Sequence, residues 1–250
     1  MSALLSVDGV SKRFRGLVAV DRVSFEVPAG GIFAVIGPNG AGKTTLFNMI
    51  AGVFPPDSGS IDFAGERIDG LTPDRICRRG IGRTFQINAL FRKLSVLDNV
   101  ALGIAERRRI GLRMWRPAHA YRELRDECLA LLDTLGLADD AGRRVLDLPY
   151  GKQRLVEIAI ALGLRPSVLL LDEPAAGVPS MESGRILEVL DRLPREISIL
   201  IIEHDMDLVF RFAQRITVLV QGEVLLEGTP DEIARDRRVQ QVYLGEQRHG

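Results

Sequence analysis

The residues best suited to chemistry form a glycine-rich loop between the apolar run Ile32–Ile36 and the helical run Leu46–Ile50. In such a loop, successive backbone N–H groups can surround a phosphate, and the N-terminus of the following helix adds positive charge. We predict that the lysine reaches the β- and γ-phosphates of a nucleotide and that the first threonine hydroxyl binds Mg²⁺. The residues predicted to contact the nucleotide are Gly37, Pro38, Asn39, Gly40, Ala41, Gly42, Lys43, Thr44 and Thr45.

Two carboxylates, Asp172 and Glu173, follow a second apolar run, Ser167–Leu171. A carboxylate at the carboxyl end of a parallel strand beside a phosphate-binding loop can hold Mg²⁺ through water, which is the role predicted for Asp172. Glu173, one residue further on, can orient and deprotonate the water that attacks the γ-phosphate. The alternative is that the two acidic residues merely end a strand.

Two further polar residues are candidates for the same site. His204 follows a third apolar run, Ile197–Ile202, and its imidazole can donate a hydrogen bond to the γ-phosphate and accept another. A lone histidine at a strand end is usually structural, but three strand ends converging on one phosphate favour a functional role. Gln86 lies where strand-like sequence gives way to helical sequence. Its amide could reach Mg²⁺ or the attacking water, and it could equally be a surface residue.

The elements that must position these residues indicate an α/β fold: a RecA-like P-loop NTPase core with a mainly parallel sheet, an N-terminal antiparallel β subdomain and an inserted helical subdomain. Residues 4–36 alternate short β-rich runs with glycine and proline. Helical periodicity dominates about residues 87–160, and a hairpin followed by a helix is predicted for about residues 215–250. A strand–helix–strand pattern between them predicts a βαβ core. The length of the chain predicts one large domain, with two small domains as the alternative.

The composition narrows the function classes. The 250 residues carry 33 basic and 33 acidic side chains, so a protein that binds polyanions non-specifically is not expected. Cys77 and Cys128 lack metal-ligand spacing, which fits a reducing compartment. No apolar run approaches the ~20 residues needed to span a bilayer. A cytosolic protein is expected, and membrane association would need a partner.

The segment Leu148–Gln153 (LPYGKQ) precedes apolar residues at helical spacing, which predicts a helix beginning near Pro149 or Tyr150. Gly151 and Lys152 then lie in a first turn, where uncapped N–H groups and the helix dipole favour an anion. Since the chain already has a phosphate-binding loop, a second anion site makes sense if it faces the nucleotide of another subunit.

In their order along the chain, GPNGAGKTT, Gln86, LPYGKQ, VLLLDEP and His204 resemble the motifs of ABC transporter ATPases over essentially the whole chain. The resemblance implies that ATP lies between the phosphate-binding loop of one subunit and the signature helix of another, in a head-to-tail dimer. The signature residues would be Tyr150, Gly151, Lys152 and Gln153. Phe14 matches the aromatic residue on which the family stacks adenine, although by itself it would be taken for a core residue.

Within the family, GRTFQINALFRKLSVLDNV, YGKQ, DEPAAGV and VYLG look most like the ATP-binding subunits of branched-chain amino acid importers. This implies import of branched-chain amino acids or related small polar solutes, a place at the cytoplasmic face of the bacterial inner membrane, and no nucleic-acid partner. The implied partners are a second ATPase, identical or not, two membrane permeases and an extracytoplasmic solute-binding protein. The apolar residues that could dock a permease, or could equally be core, are Leu90, Phe91, Leu94, Val96 and Leu97.

Two positions depart from the family pattern. Pro149 stands where the signature usually has serine, which removes a hydroxyl and a backbone N–H, so contact with the γ-phosphate would depend on the backbone of Gly151 and Lys152 and on the Lys152 ammonium. The loop after Glu173 has Gly177–Ser180 where the family commonly has aspartate. The competing functions are a soluble ABC ATPase of DNA repair or translation, against which zero net charge and a single cassette argue, and a nucleotide switch that does not hydrolyse ATP.

Overall fold

A computed structural model describes residues 3–84, 90–109 and 122–246. The chain divides into two compact units, which we call the first unit (Met1–Ile76, Leu170–Glu173 and Pro194–Gly250) and the second unit (Cys77–Leu169 and Pro174–Leu193). In chain order, the elements are β1 (Leu5–Phe14), β2 (Leu17–Val27), β3 (Gly31–Ile36), α1 (Lys43–Ile50), β4 (Ser58–Phe63), β5 (Glu66–Arg67), α2 (Pro73–Arg79), β6 (Ile81–Arg83), α3 (Val96–Arg107), α4 (Arg122–Thr134), α5 (Tyr150–Gly163), β7 (Val168–Asp172), α6 (Ser180–Asp191), β8 (Ser198–Ile202), α7 (Met206–Phe212), β9 (Arg215–Val220), β10 (Glu223–Gly228), α8 (Pro230–Arg235) and α9 (Arg237–Glu246).

The first unit begins with the predicted antiparallel sheet, in the order β2-β1-β4-β5. Two runs that the sequence separates, Val18–Val20 and Val23–Val27, form the single strand β2. Arg22 adopts a left-handed conformation with φ of 50°, and the pairing of β1 with β2 shifts register nearby. Such an irregularity lets a strand continue past a kink that the sequence pattern presents as a break.

The second sheet of the first unit has the order β10-β9-β3-β8-β7. β3 pairs in parallel with both β8 and β9, while β9 and β10 form the predicted antiparallel hairpin. Every residue of β8 is buried, as expected for a parallel strand covered on both faces. This mainly parallel sheet confirms the predicted α/β class.

Helices dominate the second unit. α4 buries Leu124, Cys128 and Leu132 at helical spacing, in agreement with the helical periodicity predicted for this region. α3 and α5 approach so closely that a Cβ on Gly103 would lie 2.6 Å from the carbonyl oxygen of Ile160. α6 also belongs to this unit, although the predicted helical range of about residues 87–160 leaves it out. The predicted domain boundaries stay a prediction.

The C-terminal part of the first unit contains two helices, α8 and α9, after the hairpin rather than one. α8 has the capping box expected from its sequence, because the Thr229 hydroxyl accepts from the backbone of Glu232 and the Glu232 carboxylate accepts from the backbone of Thr229. Over residues 3–84, 90–109 and 122–246, none of the helices combines the length and the apolar character that a membrane crossing requires.

Candidate nucleotide-binding site

The loop between β3 and α1 owes its shape to three glycines with positive φ, namely Gly37 at 150°, Gly40 at 79° and Gly42 at 97°. A Cβ on Gly37 would lie 2.0 Å from the carbonyl oxygen of Leu219, and a Cβ on Gly42 would lie 2.3 Å from that of Ala19. Both positions therefore need glycine for conformational and steric reasons. A glycine-rich loop of this kind can present successive backbone N–H groups to an anion.

Lys43 is the first residue of α1 and is largely buried. Its ammonium donates hydrogen bonds to the carbonyl oxygens of Gly37 (2.7 Å) and Pro38 (2.9 Å), so the side chain lies back along the loop. Within the part of the chain that the structure describes, no side chain caps the N-terminus of α1. Backbone donors, a helix N-terminus and a lysine thus meet at one place, which suits a polyphosphate.

The edge of the parallel sheet brings three predicted residues together. Val35 of β3 pairs with Ile202 of β8, and the backbone N–H of Glu173 donates to the carbonyl of Ile202 at 2.9 Å. Gly37, Glu173 and His204 therefore leave neighbouring strands at the same edge, as the sequence predicted. This is the edge at which open α/β sheets bind ligands.

Glu173 has a left-handed backbone, with φ of 48°. For a residue that is not glycine this conformation costs on the order of 1 kcal/mol, and such strain tends to persist at functional sites. Its N–H is held by Ile202, which fixes the turn that follows β7. This turn fixes where the Glu173 side chain leaves the sheet edge, and its role in orienting water stays a prediction.

Glu203 is a buried residue of this edge that is not among the residues predicted from the sequence. Its Oε2 accepts a hydrogen bond from the His204 backbone N–H at 3.3 Å and lies 3.8 Å from the His204 Nδ1. The His204 side chain itself is exposed, so it can turn toward a ligand while Glu203 holds its backbone. A carboxylate directly after an apolar strand and before the histidine was the available signal.

Oxygen donors for a magnesium ion come from two elements of the first unit. Thr44 is exposed in the first turn of α1, and Asp172 ends β7. A hydroxyl and a carboxylate are the hard ligands that Mg²⁺ takes beside phosphate oxygens and water, so these residues fit the ion. The third predicted ligand, Gln86, lies outside the described residues.

Phe14 is not a core residue, because 44% of it is exposed. Its ring meets that of Phe54 edge-on, with the centroids 5.4 Å apart. The Lys12 ammonium lies 5.9 Å from the Phe14 ring and is held by Asp57 at 2.7 Å. A supported, exposed ring at the end of β1 is suited to stacking on a flat base, which stays a prediction.

The signature segment belongs to the second unit. α5 begins at Tyr150 with Pro149 before it, which confirms the predicted start. Gly151 is buried, and the Gln153 side chain is turned inward, where its amide donates to the carbonyl of Leu148 at 2.8 Å. The Gln153 side chain, which was predicted to contact the nucleotide, thus stabilises the turn before α5.

The Lys152 ammonium pairs with Asp140, at 2.5 Å, rather than extending into solvent. The Asp140 side chain is only 5% exposed and also binds Arg143 at 2.8 Å. Burial acts to raise the pKa of Asp140, but the hydrogen bonds from Lys152 and Arg143 outweigh it and hold that pKa below its usual value of 3.8. Nothing in the sequence indicates this pairing, because Asp139-Asp140 resembles an ordinary surface turn.

The apolar residues that follow Gln86 were predicted either to dock a permease or to belong to the core, and the structure contains both kinds. Leu90 and Val96 are buried and therefore belong to the core, whereas Phe91 and Leu94 are exposed. Leu97 is partly buried. Phe91 and Leu94 are therefore available to contact another protein.

The fold and the loop geometry define a P-loop nucleotide-binding protein. Residues 20–176 match the family model described as ABC transporter, and residues 223–249 match one described as branched-chain amino acid ATP-binding cassette transporter. The chain therefore belongs to the ABC transporter family and is an ATPase of that family.

Individual relatives agree with this assignment. The chain is 40% identical to the high-affinity branched-chain amino acid transport ATP-binding protein LivG of Salmonella typhimurium, over 97% of this chain and 98% of that protein. The ADP conformation of an ATP-binding cassette superimposes with a TM-score of 0.87 at 30% identity, covering 98% of this chain and 100% of the other. A dimeric cassette bound to ADP and phosphate has a TM-score of 0.75 at 26% identity, covering 90% and 98%.

Proposed function

We propose that this chain is the ATP-hydrolysing subunit of an importer for branched-chain amino acids or related small polar solutes. The observation that carries the proposal is the meeting of the phosphate-binding loop, Glu173 and His204 at one sheet edge. The solute class is supported by the LivG relative, which matches nearly the full length of both chains.

In this proposal, several of the predicted site residues have defined tasks. Lys43 exchanges its bonds to the loop carbonyls for bonds to the β- and γ-phosphates, and Phe14 stacks on the adenine. Glu173 orients the attacking water and accepts its proton on a carboxylate oxygen. His204 donates a hydrogen bond to the γ-phosphate, supported from behind by Glu203.

Thr44 and Asp172 would hold Mg²⁺, with Gln86 as a further proposed ligand or as the residue that positions the water. When bound, Mg²⁺ supplies positive charge that neutralises the phosphate oxygens. Both described ligands lie at ends of elements that the sheet edge already positions, α1 and β7. Their replacement should therefore affect hydrolysis without unfolding the protein.

The second half of each nucleotide site would come from another subunit. The first turn of α5, with the N–H groups of Gly151 and Lys152, offers an anion site that the chain's own phosphate-binding loop does not need. We propose a head-to-tail dimer with a second copy or a sister ATPase. The dimeric cassette among the structural relatives supports this arrangement.

The complete importer would add two permeases and an extracytoplasmic solute-binding protein, and would place this subunit at the cytoplasmic face of the membrane. The exposed side chains of Phe91 and Leu94 are the proposed contact with a permease. Their neighbours Leu90 and Val96 are buried and would keep the surface in place rather than form it.

ATP turnover of the purified chain tests the proposal. We expect the rate per molecule to rise with protein concentration, because two subunits are needed for each site, and Glu173→Gln to abolish turnover while ATP still binds. Glu223→Gln, an exposed carboxylate on β10, is the matched control and should behave as wild type. A rate per molecule that is independent of dilution would refute the shared site, and full activity of Glu173→Gln would refute the assigned base.

Uptake of labelled leucine by cells tests the proposed solute class. Cells whose own copy of the gene carries Glu173→Gln should lose uptake that cells with Glu223→Gln retain. Unchanged leucine uptake together with a loss of ATP turnover would refute the proposed solute class.

A further inference from the structure

The signature helix α5 contains a buried ion pair between Arg154 and Glu157, one turn apart. Arg154 Nη1 donates to Glu157 Oε2 at 2.9 Å, and the two side chains are 10% and 4% exposed. The Arg154 Nε and the Glu157 Oε1 are also buried, and neither has a hydrogen-bond partner among the described residues. One hydrogen bond is therefore all that the two charged groups exchange.

Such a pair is a poor stabiliser. Taking two charges out of water costs more than a single bond returns unless the remaining polar atoms are also satisfied. Burial raises the pKa of the Glu157 carboxyl, and the hydrogen bond from Arg154 offsets this only in part. Apolar side chains of similar size would be expected to hold this part of α5 at least as well.

The pair does aim a cation at the start of the signature. The Arg154 guanidinium carbon lies 5.7 Å from the centroid of the Tyr150 ring, within the range of a cation–π contact. Tyr150 is the first residue of α5. Tyr150 lies one turn before Arg154 in α5, and Glu157 lies one turn after it. By binding the guanidinium, Glu157 restricts where the Arg154 side chain can lie and therefore which orientation of the Tyr150 ring the cation stabilises.

The same ring contacts the loop that follows Glu173. A Cβ on Gly177 would lie 3.4 Å from the Tyr150 hydroxyl oxygen, and Gly177 has φ of +73°. The ring thus lies between the first turn of α5 and the segment that leads from β7 to α6. The first turn of α5 is predicted to face a nucleotide shared between subunits.

We propose that Arg154, held by Glu157, is a positioning residue that acts through Tyr150 to set the first turn of α5 and the loop at Gly177 for ATP hydrolysis. This inference rests on the proposed two-subunit site. It gives the ion pair a task that its contribution to stability does not explain.

The test replaces both charges at once, because removing either alone would leave a buried charge unpaired. In Arg154→Met/Glu157→Leu we expect a Tm equal to or above that of wild type. Hydrogen exchange in residues 150–155, measured without nucleotide, should be roughly tenfold faster. The kcat for ATP should fall by roughly tenfold to a hundredfold with a smaller change in KM, because a slightly misplaced group slows the chemistry more than binding.

A matched control and a coupling measurement complete the design. The exposed pair Arg144–Asp147 has the same spacing and a 2.9 Å contact, so Arg144→Gln/Asp147→Asn should leave exchange in residues 150–155 and kcat unchanged. In a Tyr150→Leu background, the Arg154→Met/Glu157→Leu change should cause little further loss, since the ring through which it acts is gone. Arg154→Lys, which keeps the cation and the ion pair, should retain most of the wild-type kcat.

Three results would overturn the inference: unchanged exchange and kcat, losses that add fully to those of Tyr150→Leu, or a fall in Tm that parallels the loss of activity. Failure of the proposed function would look different, because wild-type turnover would then be absent or independent of protein concentration. The exchange and Tm measurements need no second subunit, so they show in either case whether the ion pair orders the first turn of α5.

Discussion

Asp140→Asn removes the charge that holds Lys152 and Arg143 near the start of α5. The carboxylate is 5% exposed, whereas the two cations are 42% and 50% exposed. Breaking a fully buried pair costs about 3–5 kcal/mol, but both cations regain water here, which brings the expected loss closer to about 1–2 kcal/mol. For a chain of this length, that corresponds to a Tm lower by about 2–8 °C.

The lowered pKa of Asp140 determines how its contribution to stability changes with pH. Because the folded pKa of Asp140 is lowered, its stabilisation is fully present above the usual value of 3.8 and is lost as the pH falls through the folded pKa. The difference in Tm between wild type and Asp140→Asn should therefore be largest near neutral pH and should shrink in acid below about pH 3.8.

Thermal unfolding followed by circular dichroism at several pH values measures the effect. The neighbouring Asp139 is exposed, so Asp139→Asn is a matched control that should leave the Tm within about 1 °C of wild type. Equal shifts for the two variants would refute the role of the buried carboxylate. A difference for Asp140→Asn that stays constant into strong acid would show that its charge is not the cause.

Three further predictions concern packing, capping and thiol chemistry. Gly103→Ala should lower the free energy of unfolding by about 1–3 kcal/mol in a denaturant titration, because its Cβ would lie 2.6 Å from a carbonyl oxygen of α5, whereas Gly142→Ala, which meets nothing within 4 Å, should not. Thr229→Ala should cost about 1 kcal/mol in the same assay through loss of the capping box, and an unchanged midpoint would contradict this. Burial raises the pKa of Cys128 to about 11, so a thiol reagent at neutral pH should modify Cys77 well before Cys128 in the native protein and both together in urea; equal native rates would count against the assignment.

Local backbone requirements explain why much of the nucleotide site could be predicted. Gly37 and Gly42 mark a chain that must turn with positive φ, and the apolar runs before Asp172 and His204 mark strands that end at a common edge. These features depend on neighbours in the sequence and on the rules of parallel sheets. The same is true of the capping box at Thr229 and the start of α5 at Tyr150.

Side-chain partners that are distant in sequence could not be predicted in the same way. Phe14 by itself would be taken for a core residue, and only the tertiary structure shows that its ring is exposed. Lys152 and Asp140 form a salt bridge because the loop before α5 folds back onto the first turn of that helix. For Glu203, the sequence offers only its place between an apolar strand and His204, and its burial depends on several strands of the sheet.

The sequence by itself determined the class of fold, the shape of the phosphate-binding loop and the order of the residues that meet at the sheet edge, because these depend on backbone conformation and short-range periodicity. Only the tertiary structure decided which charged groups neutralise one another. Arg154 and Glu157 are an ordinary helical pair by spacing, and burial alone makes them costly. The energy of a charge depends on how much water surrounds it, which is a property of the whole packed molecule rather than of adjacent residues.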